Sequence, residues 1–377
     1  MIVLPFTIPG LFLAALVSLH VVTIAIAALS CRTTPRRRLV AAKPMPPVSI
    51  IRPVSGLDFM IEETLESTFG LDHPDYEILF CAASESDRVV PIVRALLARH
   101  PQANARLLVG DDPISDNPKL NNVVKGWRVA RHDLIIMCDS NVLLPRDYLQ
   151  RCLKPWDART GLVAAPPAGT HVGNFEAEVE AAFLNSYQAR WQYAANAIGF
   201  GFAQGKNLVF RRDILRPVGG VRALAGELAE DAAATKIVRA QGYEVRLASG
   251  PFPQPLGLRD WRSVWNRQTR WARLRRMSFP ACYVVEIFAG VLPPTLIAIW
   301  WALATDHDVV GTITGLWLLW FALEWALTRI AGWPATFRVI PAMMLRDAML
   351  PLVWLHGWRN KGFVWQGHSM AQGARTG

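Results

Sequence analysis

The chain has 377 residues, 52% of them hydrophobic and 19% charged, with 40 Lys and Arg against 30 Asp and Glu. That apolar excess is too great for an ordinary soluble enzyme, and the net charge of +10 suits anionic headgroups or a phosphorylated substrate. Nucleic acid is not an expected partner, because the basic residues cluster beside apolar runs instead of interleaving with aromatics as on an RNA-binding surface.

Phe6 to Ser30 runs for 25 residues without a formal charge, His20 being its only ionisable group. As a helix it would cross ~30 Å of hydrocarbon. A cleaved signal peptide is the rival reading, but that carries its basic residues ahead of a shorter apolar core. Here Arg32, Arg36, Arg37, Arg38 and Lys43 follow the run. Residues 1–31 are therefore expected to be an uncleaved anchor with the N-terminus outside and the following chain in the cytoplasm.

A basic, Pro-rich linker over 32–47 comes next. Beyond it, short apolar runs alternate with helix-period segments. Val48 to Val54 reads as a strand, Ile61 to Leu71 as a helix, Tyr76 to Ala83 as a strand and Val89 to His100 as a helix. Ala105 to Gly110 follows as a strand, Lys119 to Ala130 as a helix, and His132 to Cys138 as a strand ending on Asp139. Gly161 to Ala165 and Leu208 to Arg211 add strands, Phe175 to Ala195 a long helix, and Leu228 to Gln241 a helix opened by acids. This alternation predicts an α/β fold with a mostly parallel sheet covered on both faces. Ligands of such sheets gather at the C-terminal ends of the strands. Neither GxGxxG nor GxxxxGK[ST] is present, so a dinucleotide fold and a P-loop are both unsupported.

Ala281 to Ala304 and Val309 to Ala331 are apolar and joined by Thr305-Asp306-His307-Asp308. Because Arg273, Arg275, Arg276 and Arg329 flank only the outer ends, the pair is expected to enter the membrane from the cytoplasm and return to it. Glu286 and Glu324 lie inside these segments, where a carboxylate is costly and faces protein or water; each is a weak functional candidate. Ile340 to Trp358 is interrupted by Arg346 and Asp347 and bent by Pro341 and Pro351, so a re-entrant or interfacial segment is expected. The five cysteines lack metal-ligand spacing and read as small buried apolar residues in a reducing compartment.

Four places carry candidate chemistry. Asp139, in Cys138-Asp139-Ser140-Asn141, presents a carboxylate at the end of an apolar strand. Mg²⁺ or Mn²⁺ binds through one or two such groups, with phosphates and water completing the shell; an Asp that merely caps the next loop is an even alternative. Asn141 stands where a second acid would be. Glu230 and Asp231 open a helix and complement its dipole, or Asp231 is a general base aimed at a hydroxyl. Lys119, in Asn117-Pro118-Lys119-Leu120-Asn121-Asn122, is a solvated residue at a helix start or a contact for a phosphate or base edge. Arg262, Arg267, Arg270, Arg273, Arg275 and Arg276 suit an interfacial amphipathic helix with snorkelling arginines. Within it, Arg270 and Trp271 are placed to do more, since a fixed guanidinium stabilises a departing diphosphate.

The order of these features is specific. An Asp near a strand end, then Asp-Ser-Asn, then Glu-Asp, then Arg-x-x-Arg-Trp, between an N-terminal anchor and C-terminal membrane segments, resembles glycosyltransferase family 21, the ceramide glucosyltransferases. Val48-Ser49-Ile50-Ile51-Arg52-Pro53 with Gly56 and Asp58, Leu71-Asp72-His73-Pro74-Asp75-Tyr76-Glu77, Asn117 to Asn122 and Cys138-Asp139-Ser140 resemble that family's segments too, over about Val48 to Met277. The resemblance implies a GT-A glycosyltransferase domain over 48–258, an interfacial segment over 259–280, and a membrane region over 281–377 with two transmembrane helices, one re-entrant or interfacial segment and a cytoplasmic tail. It implies an inverting transfer of glucose from UDP-glucose to the primary hydroxyl of a ceramide-like lipid, with a divalent metal, at a bacterial inner membrane and with the catalytic domain cytoplasmic. By the same resemblance Asp87, or alternatively Glu85, contacts the uridine, Asp139 the metal and diphosphate, and Asp231 is the catalytic base. Arg267, Arg270 and Trp271 position diphosphate and acceptor, while Pro53, Lys119 and Glu230 belong to the donor site.

Two departures leave the substrates open. Ser84-Glu85-Ser86-Asp87 has fewer acids than the animal enzymes carry, and Tyr187-Gln188 stands where those have a His before the segment matching Arg190-Trp191. A hopanoid or diacylglycerol acceptor, or UDP-N-acetylglucosamine or UDP-galactose as donor, is served by the same machinery. A processive polysaccharide synthase is disfavoured by Arg267 at the first signature position and by too few membrane helices for a channel. A lipid- or nucleotide-sensing membrane protein is disfavoured by the full set of aspartates and the signature. The oligomeric state is not legible.

Overall fold

The computed structural model describes residues 7–32, 45–359, 363–365 and 368–370. Of the expected linker, only Arg32 and residues 45–47 fall within these, so Arg36, Arg37, Arg38 and Lys43 lie outside the described residues.

The strands are β1 (Val48–Val54), β2 (Tyr76–Ala82), β3 (Ala105–Val109), β4 (Leu134–Cys138), β5 (Thr160–Ala164), β6 (Pro167–Val172), β7 (Asn207–Arg211), β8 (Glu244–Leu247) and β9 (Phe252–Gly257); β1 to β5 and β7 lie close to the expected apolar runs, whereas β6, β8 and β9 were not foreseen. Seven of them make one sheet in the order β3-β2-β1-β4-β7-β5-β8, and β6 pairs with β9 apart from it. Every neighbouring pair in the large sheet is parallel except those made by β7, which runs against both β4 and β5. The expected mostly parallel α/β sheet is thus present. The reversed strand was not foreseen, because alternation along a strand is the same in either direction.

Both faces of the sheet are covered. Ile78, Phe80 and Ala82, every second residue of β2, pack with Val90, Val93 and Leu96 of the helix Val90–Arg99. The alternate residue Cys81 meets the helix Pro118–Val129 at Gly126. There an added Cβ would stand 2.8 Å from Ile51 Cγ2 and 2.9 Å from Cys81 Sγ. Gly126→Val should therefore lower the thermal unfolding midpoint of the purified protein, since overpacking of ~1–3 kcal/mol outweighs the ~1 kcal/mol a helix gains by losing a glycine.

The contacts divide the chain into two compact units, each gathered from separate stretches. The sheet unit is Thr33–Ala168, Ala195–Pro255 and Lys361–Gly377; the helical unit is Met1–Arg32, Gly169–Ala194 and Leu256–Asn360. The span 48–258, expected as one domain, is therefore divided. Residues 169–194 join the helical unit because Val179, Phe183 and Tyr187 pack with Val264, Ala289, Ala342 and Leu350.

The long helix expected over 175–195 is α-helical at Phe175–Ala182 and Arg190–Ala197, with a π-helical run at Phe183–Ala189 between them. Short π segments often mark functional positions. Here four consecutive polar side chains each find a partner. Asn185 Oδ1 accepts from Gly169 N at 2.7 Å, and Ser186 Oγ donates to Glu324 at 2.9 Å. Tyr187 Oη donates to Glu286 at 2.8 Å, and Gln188 Nε2 to Gln268 at 3.3 Å.

Ile8–Cys31, Val309–Ile330 and Val339–Gly357 are helices long and apolar enough to cross a membrane. The expected single run over 281–304 is instead broken into Pro280–Ala289 and Leu292–Ala304, bent by 58°. Pro293 and Pro294 lack the N–H groups that would continue the helix. Conversely, the interruption expected over 340–358 is absent, and Val339–Gly357 is one helix with Pro351 inside it. It tolerates Arg346 and Asp347 because both are paired. Arg346 lies 2.8 Å from Glu324 and 2.7 Å from Asp347, and Arg190 lies 3.3 Å from Glu324, with these Arg and Glu side chains only 1% exposed. The same network serves the break. Asp347 accepts from Val291 N at 2.9 Å and Arg190 donates to Ala289 O at 3.2 Å, satisfying backbone groups that hydrocarbon would not. Glu324 is thus a structural ion partner. Glu286 likewise pairs with Arg275 at 2.8 Å. All five cysteines are free, and all but Cys282 are buried.

Candidate active site

The site in the sheet unit is built where β4 ends. Arg52, fully buried on β1, donates to the carbonyls of Asp139, Ser140 and Val142 at 2.9, 3.0 and 2.9 Å. Its Nη2 thereby holds the turn that presents the Asp139 carboxylate, while Nη1 is anchored on Thr64 O at 3.2 Å and Thr68 Oγ1 at 2.8 Å. β7 begins beside that turn because it is antiparallel: Cys138 lies opposite Asn207, and Asp139 N donates to Lys206 O at 3.1 Å. Lys206 is thereby carried next to Asp139.

Two helix starts converge on the same place. Asn117 caps the helix Pro118–Val129, its side chain accepting from Lys119 N at 3.0 Å and Leu120 N at 3.2 Å. Lys119 stands in the first turn, and its Nζ lies 2.7 Å from Asp139 Oδ1 and 2.6 Å from Glu230 Oε1, with Gly205 O a further partner. Lys206 Nζ lies 2.8 Å from Asp139 Oδ2 and donates to Asn141 Oδ1 at 3.0 Å. Glu230 and Asp231 open the helix Glu230–Ala240, and Asn117 Nδ2 donates to Glu230 Oε2 at 2.7 Å. The backbone at Gly205 passes so near that an added Cβ would stand 2.8 Å from Glu230 Oε1 and 3.4 Å from Asp231 Oδ2.

These neighbours separate the acids electrostatically. Loss of water raises the Asp139 carboxyl, but the Lys119 and Lys206 charges outweigh it and hold the group down at about 2. The same carboxylates push Lys119 up, against the effect of its burial. Asp231 has no ammonium of its own. Desolvation first, and then the Glu230 charge, push it up to about 7, near the pH where a carboxylate works best as a general base. Its Oδ1 accepts from Ala232 N at 2.7 Å.

Asp139, Lys119, Glu230 and Asp231 therefore come together. Asp87 is placed differently. It accepts from Gly56 N at 2.9 Å and Val89 N at 3.0 Å, joining the loops that follow β1 and β2, whereas the alternative Glu85 is exposed and paired with Arg94. Pro53 sits inside β1 opposite Cys81 and brings no polar side-chain atom. Arg267, Arg270 and Trp271 lie in the helical unit on the helix Trp261–Ser278. Arg267 pairs at 2.5 Å with the fully buried Glu180, which also holds Arg259 at 3.1 Å. Desolvation and the Arg267 charge lower Arg270 to about 10, leaving it charged at neutral pH. Trp271 packs against Ala177, Ala181, Leu184 and Leu256.

Sequence reasoning missed Arg52 as the brace of the 139–142 turn, and it missed Gly205 and Lys206. The glycine-rich stretch Gly199-Phe200-Gly201-Phe202-Ala203-Gln204-Gly205-Lys206 directly before a strand was the signal that marked the last two.

Among the described residues no three His, Cys, Asp or Glu side chains come together as a metal cage. A Mg²⁺-type site can take a single carboxylate, with phosphate oxygens and water filling the shell, and Asp139 supplies that one hard-oxygen donor, but Lys119 and Lys206 take both of its oxygens, so an ion there has to displace one of them.

The sequence profile described as "Glycosyl transferase family 21" matches residues 11–375. Ceramide glucosyltransferase 3 of Caenorhabditis elegans is 28% identical over 344 residues, 86% of this chain and 74% of that protein. Ceramide glucosyltransferase 1 of the same organism is 29% identical over 245 residues, 64% of this chain and 52% of that one. Among solved structures, a mannosyltransferase from Pyrobaculum calidifontis in complex with GDP-Man and Mn²⁺ is similar at a TM-score of 0.48 and 17% identity, covering 92% of this chain and 96% of that one. With a family match over nearly its whole length and the ordered acids gathered at the end of β4, this chain belongs to glycosyl transferase family 21.

Proposed function

We propose that the chain is a multi-pass membrane glycosyltransferase that inverts the anomeric centre, moving glucose from UDP-glucose to the primary hydroxyl of a ceramide-like lipid. Asp231 carries this reading. It is a carboxylate kept near neutral pKa, beside two fixed ammonium groups, which is what deprotonating an alcohol opposite a departing anion requires. The lipid hydroxyl gives its proton to Asp231 as its oxygen bonds to the anomeric carbon. The bond from that carbon to the β-phosphate oxygen breaks, and UDP leaves with the electron pair. Lys119 and Lys206 face the leaving diphosphate, Glu230 and Asn117 orient Lys119, and Asp87 lies on the uridine side. A divalent ion held by Asp139 would add further positive charge to the diphosphate. Arg267, Arg270 and Trp271 keep the diphosphate- and acceptor-positioning role that the Arg-x-x-Arg-Trp signature implies. The apolar helices support an integral membrane location, with a bacterial inner membrane and a cytoplasmic sheet unit as the proposed setting.

The test is a transfer assay with the full chain in lipid nanodiscs. UDP-glucose, UDP-galactose and UDP-N-acetylglucosamine are each offered with ceramide, diacylglycerol and a hopanoid, and products are read by mass spectrometry. Ceramide carrying one hexose from UDP-glucose is expected. A sugar polymer, or no glycosylated lipid from any pair, would sink the reading.

A further inference from the structure

We propose that Lys206 is a donor-binding residue, and that Lys119 and Lys206 together hold the diphosphate of the nucleotide without needing a divalent ion. The inference rests on the nucleotide-sugar reading above and deepens it at the diphosphate.

Three observations carry it. First, the two ammonium groups bracket one carboxylate, at 2.7 and 2.8 Å from the two oxygens of Asp139, with their side chains only 12% and 16% exposed. Two ammonium groups are therefore fixed in a nearly dry site, balanced there by Asp139 and Glu230, where each N–H acts more strongly on an anion than it would in water. Second, the donors are unequally spent. Lys119 has Asp139, Glu230 and Gly205 O for its three N–H bonds. Lys206 has Asp139 and Asn141, which leaves one N–H for a ligand among the described residues. Third, the position that would supply a second acid for a metal holds Asn141, and its oxygen is taken by Lys206. Where a two-acid site would gather a dication, this one has gathered a second ammonium. The starts of the helices Pro118–Val129 and Glu230–Ala240 lie at the same place, adding backbone N–H groups that favour phosphate.

An ion at Asp139 then adds to nucleotide binding instead of creating it. The experiment is calorimetric titration of UDP and of uridine into the full chain in nanodiscs, with EDTA and then with Mg²⁺. UDP is expected to bind in EDTA. Lys206→Met should weaken UDP at least about tenfold, the cost of one charge-assisted hydrogen bond, and leave uridine unchanged; Lys206→Arg should recover part of the loss. Binding of UDP only after Mg²⁺ is added, or wild-type UDP affinity in Lys206→Met, would overturn the proposal. So would equal losses of UDP and uridine in both variants, which would assign Lys206 to folding alone. If GDP or ADP binds in EDTA in place of UDP, with the same dependence on Lys206, the diphosphate site stands and the uridine-nucleotide reading falls. If no nucleotide binds under either condition, both fall.

Discussion

Asp231→Asn is expected to lower turnover about 10²–10⁴-fold, the usual contribution of a positioned general base, while UDP affinity stays at the wild-type level. The amide keeps an oxygen for Ala232 N but cannot accept the acceptor's proton. Single-turnover transfer and UDP titration of the same preparation separate the two effects, and undiminished turnover would remove Asp231 as the base.

The pH dependence follows from the same residue. As the proposed base Asp231 acts only when ionised, and its pKa is pushed up to about 7, so kcat/KM should decline as pH falls through that value, approaching tenfold per unit below it. The sign for stability is the opposite. A carboxyl raised above its unfolded value favours the protonated fold, and that advantage is complete in acid and lost as pH rises through about 7. At pH 8 Asp231→Asn should therefore be no less stable than the wild type, which keeps the kinetic result free of a folding defect. If the acid limb survives unchanged in the residual activity of that variant, another group is titrating.

Glu324→Gln should produce the largest loss of stability. The Glu324 carboxylate answers both Arg346 and Arg190 in a place where neither can reach water. Removing it leaves the two guanidinium groups with Asp347 as their one carboxylate in the network, and breaking such a buried pair costs about 3–5 kcal/mol. Thermal unfolding in one fixed detergent checks this. Combining Glu324→Gln with Arg190→Met restores the charge balance, so the pair should be less damaging than the sum of the single changes. Strict additivity would mean that the network is not electrostatically coupled.

Much of the fold was legible because its signals are local. The strands β1, β2 and β4 are apolar runs bounded by turn residues, and the helix starts at Asn117 and Glu230 carry residues that cap or complement a helix. The ordered acids Asp139, Glu230 and Asp231 could be picked out before any contact was visible. The errors came where a local signal has two physical outcomes. Arg346 and Asp347 interrupt an apolar run in sequence, and only their partners on other helices make the run one continuous helix. The stretch 281–304 is apolar throughout, yet two prolines break it, and Arg190 and Asp347 make that break tolerable. The apolar face of residues 175–194 shows that it must be buried but not which unit buries it.

The sequence by itself determined the apolar helices Ile8–Cys31 and Val309–Ile330, the α/β alternation and the order of the acids, because apolar period, capping chemistry and motif spacing are written along the chain. Only the tertiary structure decided the direction of β7, and with it the placing of Lys206 beside Asp139 and the bracing of that turn by Arg52. Strand direction leaves no trace in a two-residue period, and charges that meet only through long-range pairing have no spacing to read.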